Sequence, residues 1–167
     1  MNDEVFDIID VNGKVLGTAF RSEVHGNPDL IHKSVHCLVF NSQGDLYLQK
    51  RSENKDVQPN KWDTSVGGHV NSNESTKDAI KRETYEELFI KDVEFKFLYQ
   101  YLMKSEIETE LVETYMIIYD GCINFDTQEI SEGKFWTTED IEKTLNKQVF
   151  TPNFEDEWSR YKKVKNI

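Results

Sequence analysis

The residues best suited to chemistry in this chain lie in one short segment where acidic side chains recur at helical spacing. Glu83, Glu86 and Glu87 stand at positions i, i+3 and i+4, which places them on one side of a helix. Like charges so placed repel by roughly 0.2–0.5 kcal/mol per pair on an exposed helix. Carboxylate oxygens at this density are the ligands that hard divalent cations such as Mg²⁺ prefer. The spacing is consistent with a metal site, and equally with a solvated acidic helix face.

Composition restricts the partners of such a site. The chain has 167 residues and a formal net charge of −11, so its surface repels phosphate backbones and excludes a nucleic-acid polymer as the expected partner. The negative net charge still permits small anionic substrates, provided that metal ions and a few basic residues supply local positive charge. The sequence contains neither a signal peptide nor an apolar run of about 18 residues, so we expect a cytoplasmic protein with no membrane partner. Cys37 and Cys122 lie in apolar runs, and we expect both to be buried rather than disulfide-bonded.

The acidic segment must be positioned by the elements around it, which alternate between β-rich and helical runs. Two hairpins are predicted, one with strands at 5–9 and 14–20 and one with strands at 34–40 and 45–50. The strand at 34–40 is almost entirely apolar, so we expect it at the centre of a sheet. Further strands are predicted at 63–66, leading into a Gly67-Gly68 turn, and at 93–103, 111–119 and 134–136.

Three helices complete the predicted architecture. The acidic helix covers 75–88, with Asn73 or Ser75 as its cap. Its buried stripe is predicted to be Ile80, Thr84 and Leu88. A helix at 138–146 follows, and the last helix is predicted to pack Phe154, Trp158 and Tyr161 inward. Strands on both sides of a central helix, with helices at the end, predict a mixed sheet between helical layers.

The segment from Gly68 to Ile90 resembles the Nudix box, G-x5-E-x7-R-E-U-x-E-E-x-G-U, in which U is apolar. The positions that match in register are Gly68, Glu74, Arg82, Glu83, Glu86, Glu87 and Ile90. Thr84 takes the first U position, and Phe89 stands where the family has glycine, so we expect the helix to end differently there. The resemblance implies the Nudix α/β/α sandwich, with 1–167 as a single domain, 1–33 as an N-terminal β-hairpin extension and 68–90 as the box.

The same resemblance implies a Mg²⁺-dependent hydrolase, with Mn²⁺ as an alternative ion, that cleaves a diphosphate linkage in a small nucleotide-like or other organic diphosphate. The residues implied in metal binding are Glu83, Glu86, Glu87 and Gly68, and those implied in catalysis are Glu83, Glu86 and Arg82. Arg82 and Glu74 are expected to orient the cluster. The general base stays open between Glu83 and a later carboxylate, Glu108 or Glu110.

Beyond the box, residues 5–160 resemble the isopentenyl-diphosphate-isomerase-like branch of Nudix proteins. The segments that carry this likeness are DVNGKVLGTAFRSEVH, HKSVHCLVFNSQGDLYLQKRS, KWDTSVGGHV and Phe150-Thr151-Pro152. The isomerase relies on a cysteine directly before its Gly-His pair, where this chain has Gly67, which cannot exchange a proton. It also has an aromatic residue where this chain has Asn153, and a basic residue in place of Glu83. We therefore favour hydrolysis and keep isomerisation, or a non-catalytic ligand-sensing or interaction domain, as alternatives.

The branch resemblance also implies a second metal site. His25, His32 and His69 fall where the isomerase holds its structural metal, and Glu108 with Glu110 would supply carboxylates, although Glu113 is placed equally well. Nitrogen and oxygen donors together suit Zn²⁺ or Mn²⁺. The alternative is that these histidines serve loop packing or substrate contact.

Three further expectations concern single residues and the N-terminal hairpin. Arg51 and Lys55 match positions that bind diphosphate in the branch, where their charge would complement a metal-bound diphosphate. His36, inside an apolar strand, is expected to be a satisfied core or sheet-surface histidine. The N-terminal hairpin would either cover the sheet edge or pair with a second chain, which leaves a homodimer open.

Overall fold

A mixed sheet organises the chain, and the computed structural model describes it over residues 3–55 and 57–166. The strands are β1 (Val5–Ile9), β2 (Val15–Phe20), β3 (Ile31–Phe40), β4 (Leu46–Arg51), β5 (Trp62–Asp63), β6 (Val66–His69), β7 (Lys96–Lys104), β8 (Thr109–Ile118) and β9 (Ile130–Trp136). The helices are α1 (Arg21–Val24), α2 (Thr76–Leu88), α3 (Thr138–Thr144) and α4 (Pro152–Lys165). None of the helices in these described ranges has the length and apolar character needed to cross a membrane.

The main sheet has the order β5-β4-β3-β8-β7, with β6 paired to β3 and β9 paired to β4. β3 and β8 run parallel from the pair Ile31–Thr109 to the pair Phe40–Ile118, and the other pairings are antiparallel. The sheet is therefore mixed, as predicted. β3 contacts strands on both of its edges, which confirms its predicted place at the centre.

Side chains of β3 alternate between the two faces of this sheet and so separate two cores. On one face Val35, Cys37 and Val39 pack in a cluster with Ala79, Ile80 and Leu88 of α2. On the other face Leu38 and Phe40 pack with Ile141 of α3 and with Phe154, Trp158 and Tyr161 of α4. Helical layers on both faces confirm the predicted sandwich and the predicted inward stripes of α2 and α4.

The N-terminal residues form the predicted hairpin, in which β1 pairs antiparallel with β2 and Gly13 turns the chain at φ +83°. β1 lies against the segment that precedes α2, since the Ser72 N–H donates to the Val5 carbonyl at 2.7 Å. Phe6 is fully buried and stacks on the rings of His32 and His69, with centroids 5.4 and 4.8 Å away. The hairpin thus covers two of the predicted metal ligands. The short helix α1, which follows β2, was not predicted.

Several predicted boundaries are wrong. β3 begins at Ile31 and β9 at Ile130, both earlier than predicted, whereas β7 begins later, at Lys96. Gly67 and Gly68 lie inside β6 rather than in a turn, because their backbone pairs with β3 at His36 and Val35. Two adjacent glycines are typical of a turn, and only the partner strand reveals the alternative.

The two cysteines differ in burial. Cys37 is fully buried on β3, as expected, but Cys122 is exposed. The apolar residues before Cys122 belong to β8, which ends at Ile118, so Cys122 lies in the following connection and outside the packed sheet.

The acidic helix begins as predicted and ends in an unexpected way. Ser75 is the N-cap, and its hydroxyl accepts the Asp78 N–H at 3.1 Å. Phe89, the C-cap, has φ 54° and ψ 25°, and its N–H donates to the Tyr85 carbonyl at 2.9 Å. The left-handed geometry that favours glycine is therefore kept without glycine. The expectation that Phe89 ends the helix differently is wrong.

Candidate metal and active site

The acidic helix and β6 face each other at close range. A Cβ atom on Gly68 would lie 2.0 Å from the Glu83 carboxyl carbon, which is far shorter than a van der Waals contact. Gly68 is therefore required so that the Glu83 carboxylate can approach the backbone of β6. This packing places the predicted metal ligands of α2 next to the Gly68 peptide, which is a further predicted ligand.

Arg82 engages nearly every carboxylate of the box. Its Nε and Nη2 donate to the two oxygens of Glu74, each at 2.8 Å, and its Nη1 donates to Glu83 at 2.6 Å and to Glu86 at 3.1 Å. Nη2 also donates to the His69 carbonyl at 3.0 Å. Hydrogen bonds from Arg82 lower the pKa of Glu74, which also accepts the Asn71 N–H. This fork offsets the repulsion within the acidic face and fixes α2 against β6.

Glu87 is the box carboxylate that Arg82 does not reach. Gln49 of β4 donates to it at 2.9 Å, and the Gly67 N–H donates to it as well. Burial, together with the charge of Glu83, raises the pKa of Glu87 to about 8. Burial also raises the pKa of Glu83. A divalent cation bound beside such an enclosed carboxylate would stabilise its ionised form. Glu83, Glu86 and Glu87 are called the box cluster below.

Gln49 was not predicted as a site residue, although it is the one amide among the four buried residues that begin β4 and is 9% exposed. A buried amide in such a run is itself a signal, because a buried polar group needs a partner. Its partner here is Glu87.

The predicted diphosphate-binding residues lie near the box cluster with protein partners of their own. The Lys55 ammonium forms an ion pair with Glu129, and its charge acts on Glu87. Arg51 donates to Asp63 at 3.3 Å and to the Val57 carbonyl at 3.0 Å. Burial and, to a smaller extent, the charge of Arg51 lower the pKa of Lys55. Two cationic side chains therefore lie on the Glu87 side of the box cluster.

A second group of ligand atoms lies where β3, β6 and β8 meet. His32, His69, Glu108 and Glu110 each offer one atom, and these four atoms lie within 4.8 Å of one another. The sheet register produces this cluster, because His32 pairs with Glu110 and Ser34 pairs with His69. These four residues are called the histidine cluster below.

The histidine cluster is buried and incompletely paired. His32 is fully buried, and within the described residues neither its Nε2 nor Glu108 Oε2 has a hydrogen-bond partner. Burial lowers the pKa of His32, whereas in His69 the nearby carboxylates of Glu108 and Glu110 outweigh burial and raise the pKa to about 9. The His69 charge in turn lowers the pKa of Glu110 against the effect of burial. Two imidazoles and two carboxylates with unpaired buried atoms fit a borderline divalent cation such as Zn²⁺ or Mn²⁺.

The positions of His25 and Glu113 show how each relates to the histidine cluster. His25 lies beside the four rather than among them, with its Nε2 3.2 Å from Glu108 Oε2. Glu113 lies on the opposite face of β8 from Glu110 and accepts the Tyr115 hydroxyl at 2.6 Å. The expectation that Glu113 is as well placed as Glu108 and Glu110 is therefore wrong.

His36 is paired, as expected, through its Nδ1, which lies 2.9 Å from Glu157 Oε1. The sequence analysis missed Glu157, because a glutamate one residue before Trp158 on an amphipathic helix is ordinarily exposed. In the structure Glu157 is fully buried.

Comparisons with known proteins agree with this geometry. Residues 30–154 match the family model described as the NUDIX domain. An uncharacterised Nudix hydrolase of Clostridium acetobutylicum is 32% identical over 92% of both chains, and an isopentenyl-diphosphate delta-isomerase of Photorhabdus laumondii is 28% identical over 91% of both. The crystal structure of a protein from Deinococcus radiodurans superposes with a TM-score of 0.82 at 24% identity, covering 94% of this chain and 98% of the other. That likeness is one of fold.

Proposed function

We propose a metal-dependent diphosphate hydrolase function for this chain, which belongs to the Nudix family of hydrolases. Nudix hydrolases act on acid anhydrides in small molecules. The proposed reaction is Mg²⁺-dependent cleavage of the diphosphate linkage in a small nucleotide-like or other organic diphosphate.

The observation that carries the proposal is the state of the box cluster. Glu83 and Glu87 are enclosed beside Gly68, and burial raises the pKa of both carboxyl groups. Arg82 supplies a counter-charge to Glu83 and Glu86, whereas the hydrogen-bond donors that Glu87 has among the described residues, Gln49 and the Gly67 N–H, are neutral, and Lys55 forms its own ion pair with Glu129. An oxygen-only set in which one carboxylate is bonded by neutral donors fits Mg²⁺, with Mn²⁺ as the alternative.

Bound divalent ions would bridge diphosphate oxygens, neutralise the leaving phosphate and lower the pKa of an attacking water. Glu83, Glu86, Glu87 and the Gly68 carbonyl would hold them. Arg82 would keep Glu83 and Glu86 in place, because its fork is itself fixed by both oxygens of Glu74. Lys55 and Arg51 would add positive charge for the diphosphate on the Glu87 side.

The geometry favours Glu83 as the general base over Glu108, which precedes β8, and Glu110, which lies on it. Glu108 and Glu110 are engaged by His69, at 3.8 and 3.4 Å from its Nε2. Glu83 lies within the box cluster, and burial raises its pKa toward the range in which a carboxylate accepts a proton efficiently.

We further propose that the histidine cluster holds a second divalent ion, Zn²⁺ or Mn²⁺. His32, His69, Glu108 and Glu110 would bind it, and His25 would support Glu108 from outside the set. Its buried position under Phe6 favours a structural role, since a closed site leaves no open coordination position for substrate.

Isomerisation is the second candidate, because the 28% identical relative is an isopentenyl-diphosphate isomerase and the histidine cluster matches the metal site implied by that branch. Gly67 argues against it, since the position directly before Gly68 and His69 offers no side chain to carry a proton. The intact box cluster favours hydrolysis.

The test is Mg²⁺-dependent cleavage over a panel of nucleoside triphosphates, dinucleoside polyphosphates, ADP-ribose, NADH, coenzyme A and isopentenyl diphosphate, with the phosphorylated products separated by chromatography and phosphate also measured after phosphatase treatment of the phosphomonoester products. Isomerisation of the last compound is followed in the same assay. We expect hydrolysis of at least one member and no isomerisation. Isomerisation without hydrolysis would establish the second candidate, and tight binding without turnover would identify a non-catalytic domain.

A further inference from the structure

The face of β3 that looks toward α4 changes character along its length. Leu38 and Phe40 belong to the apolar core, whereas His32, Ser34 and His36 form a polar row on the same face. Ser34 is 2% exposed, and its hydroxyl has no hydrogen-bond partner in the described ranges. Buried polar groups are normally paired, so this row resembles the wall of a binding site more than a core.

His36 is held rigidly within this row. Its Nδ1 lies 2.9 Å from Glu157 Oε1, and the Thr114 hydroxyl donates to the same oxygen at 3.1 Å. An ionised carboxylate only accepts, so Nδ1 carries the hydrogen of this bond. Burial would lower the pKa of His36, but Glu157 raises it to about 9. The ring is therefore an imidazolium at neutral pH, and Nε2 is also a donor.

Nε2 points away from Glu157 and toward Gly67. A Cβ atom on Gly67 would lie 3.5 Å from Nε2 and 3.3 Å from Cδ2 of His36, so the absence of a side chain leaves room in front of this donor. The hydrogen bond to Glu157 is the one that the His36 ring makes within the described residues. Gly67 lies between the two faces of the sheet: its N–H donates to Glu87 of α2, whereas its Cα faces His36 on the α4 side, so β6 separates the donor from the box cluster by one residue.

We propose that His36 is a specificity-determining residue, whose Nε2–H, fixed by Glu157 and directed at the side-chain-free position of Gly67, binds an oxygen or nitrogen acceptor on the organic group of the diphosphate substrate. The inference rests on the proposed function in that the diphosphate lies at the box cluster. The Tyr101 hydroxyl, which is buried on the same face and has no partner in the described part of the chain, supplies a further polar contact.

The site therefore discriminates by the polarity of the organic group. A group with a carbonyl or ring-nitrogen acceptor pairs with Nε2–H, whereas a hydrocarbon group buries this donor unpaired. One such unpaired group lowers affinity by about tenfold to a hundredfold. Isopentenyl diphosphate has no acceptor in its organic group, and a nucleoside diphosphate has several.

Binding is the decisive measurement, because it is independent of turnover. Isothermal titration calorimetry with Mg²⁺ would use the α,β-methylene analogues of ADP, GDP, CDP, UDP and isopentenyl diphosphate, in which a P–C–P bridge prevents hydrolysis. We expect at least one nucleoside analogue to bind the wild-type protein about tenfold more tightly than the isopentenyl analogue, or more.

Two variants test the assignment to His36. Gly67→Ala fills the space before Nε2 while it keeps the N–H to Glu87, and its matched control is Gly17→Ala, where a Cβ meets nothing within 4 Å. The double variant His36→Leu with Glu157→Leu removes the whole pair, so neither partner is left as an unpaired buried charge. Both should bring the affinity ratio close to one, and the control should keep it. Thermal unfolding confirms that each variant is folded.

The inference is overturned if the wild-type protein binds the isopentenyl analogue as tightly as every nucleoside analogue, or binds none of them. It is equally overturned if the preference survives in either variant. These outcomes are separate from failure of the proposed function, which would show as absent Mg²⁺-dependent cleavage of every natural diphosphate in the panel.

Discussion

The box cluster and the histidine cluster adjoin each other, yet they limit charge repulsion in different ways. In the box cluster all candidate ligands are oxygens, and Arg82 neutralises two of the three carboxylates. In the histidine cluster the charge opposite the two carboxylates comes from His69, a residue of the cluster itself, and the four ligand atoms already lie within 4.8 Å. The Arg82 bond to the His69 carbonyl joins the two.

This difference assigns a separate chemistry to each cluster. An oxygen-only set held open by an arginine suits a hard ion that binds together with its substrate. A closed set of nitrogen and oxygen donors under a buried phenylalanine suits a borderline ion that stays bound. Turnover should therefore depend on the first cluster, and metal content on the second.

Glu87→Gln should have the largest effect, and it should lower turnover without changing the metal content of the histidine cluster. Glu87 lacks a cationic partner in the box cluster, so loss of its charge removes a metal ligand, and we expect turnover to fall by more than about a hundredfold, beyond the effect of an outer-shell partner. Stability should not fall, because the amide avoids the cost of burying a charge.

Mg²⁺-dependent phosphate release and thermal unfolding measure the two effects, and the metal content of the histidine cluster should stay at the wild-type level. Wild-type turnover in Glu87→Gln would show that α2 is not the site of metal-dependent chemistry.

Arg82→Lys should have the next largest effect, again confined to the box cluster. An ammonium cannot reproduce the two parallel bonds to Glu74 while also reaching Glu83, so the carboxylates lose their fixed positions. We expect the Mg²⁺ concentration for half-maximal turnover to rise by about 10- to 100-fold.

The matched control is Lys143→Arg, the reverse exchange in an exposed i, i+4 pair with Glu139 on α3, and it should leave turnover unchanged. An equal Mg²⁺ requirement in wild type and Arg82→Lys would mean that the arginine fork does not position the ligands.

His69→Gln should have the opposite effect, with a large loss of bound metal and a small loss of turnover. It removes one of the two imidazoles of the histidine cluster, so bound Zn²⁺ or Mn²⁺ should fall from about one equivalent to near zero by elemental analysis. A metal at a hundred times its dissociation constant stabilises a protein by about 2.7 kcal/mol, and that gain should vanish in the variant. Turnover should fall by less than about tenfold, because the Gly68 and Arg82 contacts use the backbone around residue 69.

Metal titrations followed by thermal unfolding provide the measurement. Loss of turnover as severe as in Glu87→Gln would merge the two clusters into one catalytic centre.

The two clusters also differ in how far the sequence predicts them. The box cluster lies within one helix, so its spacing and its relation to Glu74 and Arg82 are local and could be read directly. The histidine cluster depends on the register of β3 with β6 and β8, which the periodicity of the sequence does not give. Its residues were predicted from the family resemblance. The resemblance did not distinguish Glu113 from Glu110, whereas the structure shows that their side chains lie on opposite faces of β8. Gln49 and Glu157 escaped notice because their partners lie far away in sequence.

The smallest expected effect concerns the end of the box helix, directly after Glu87. Phe89 has φ 54°, which costs a residue other than glycine about 1–2 kcal/mol, while glycine loses roughly 0.5–1 kcal/mol through the greater freedom of its unfolded chain. The Phe89 ring is half-exposed and packs edge-on against Tyr85, with ring centroids 6.2 Å apart, so little buried packing is lost. Phe89→Gly should therefore raise the free energy of unfolding by about 0.5–1 kcal/mol in urea titrations. Phe89→Ala is the control, because it loses the ring but keeps the strained backbone, and it should not raise the free energy of unfolding. Equal stability of the two variants would show that the backbone conformation of residue 89 contributes no strain that glycine relieves.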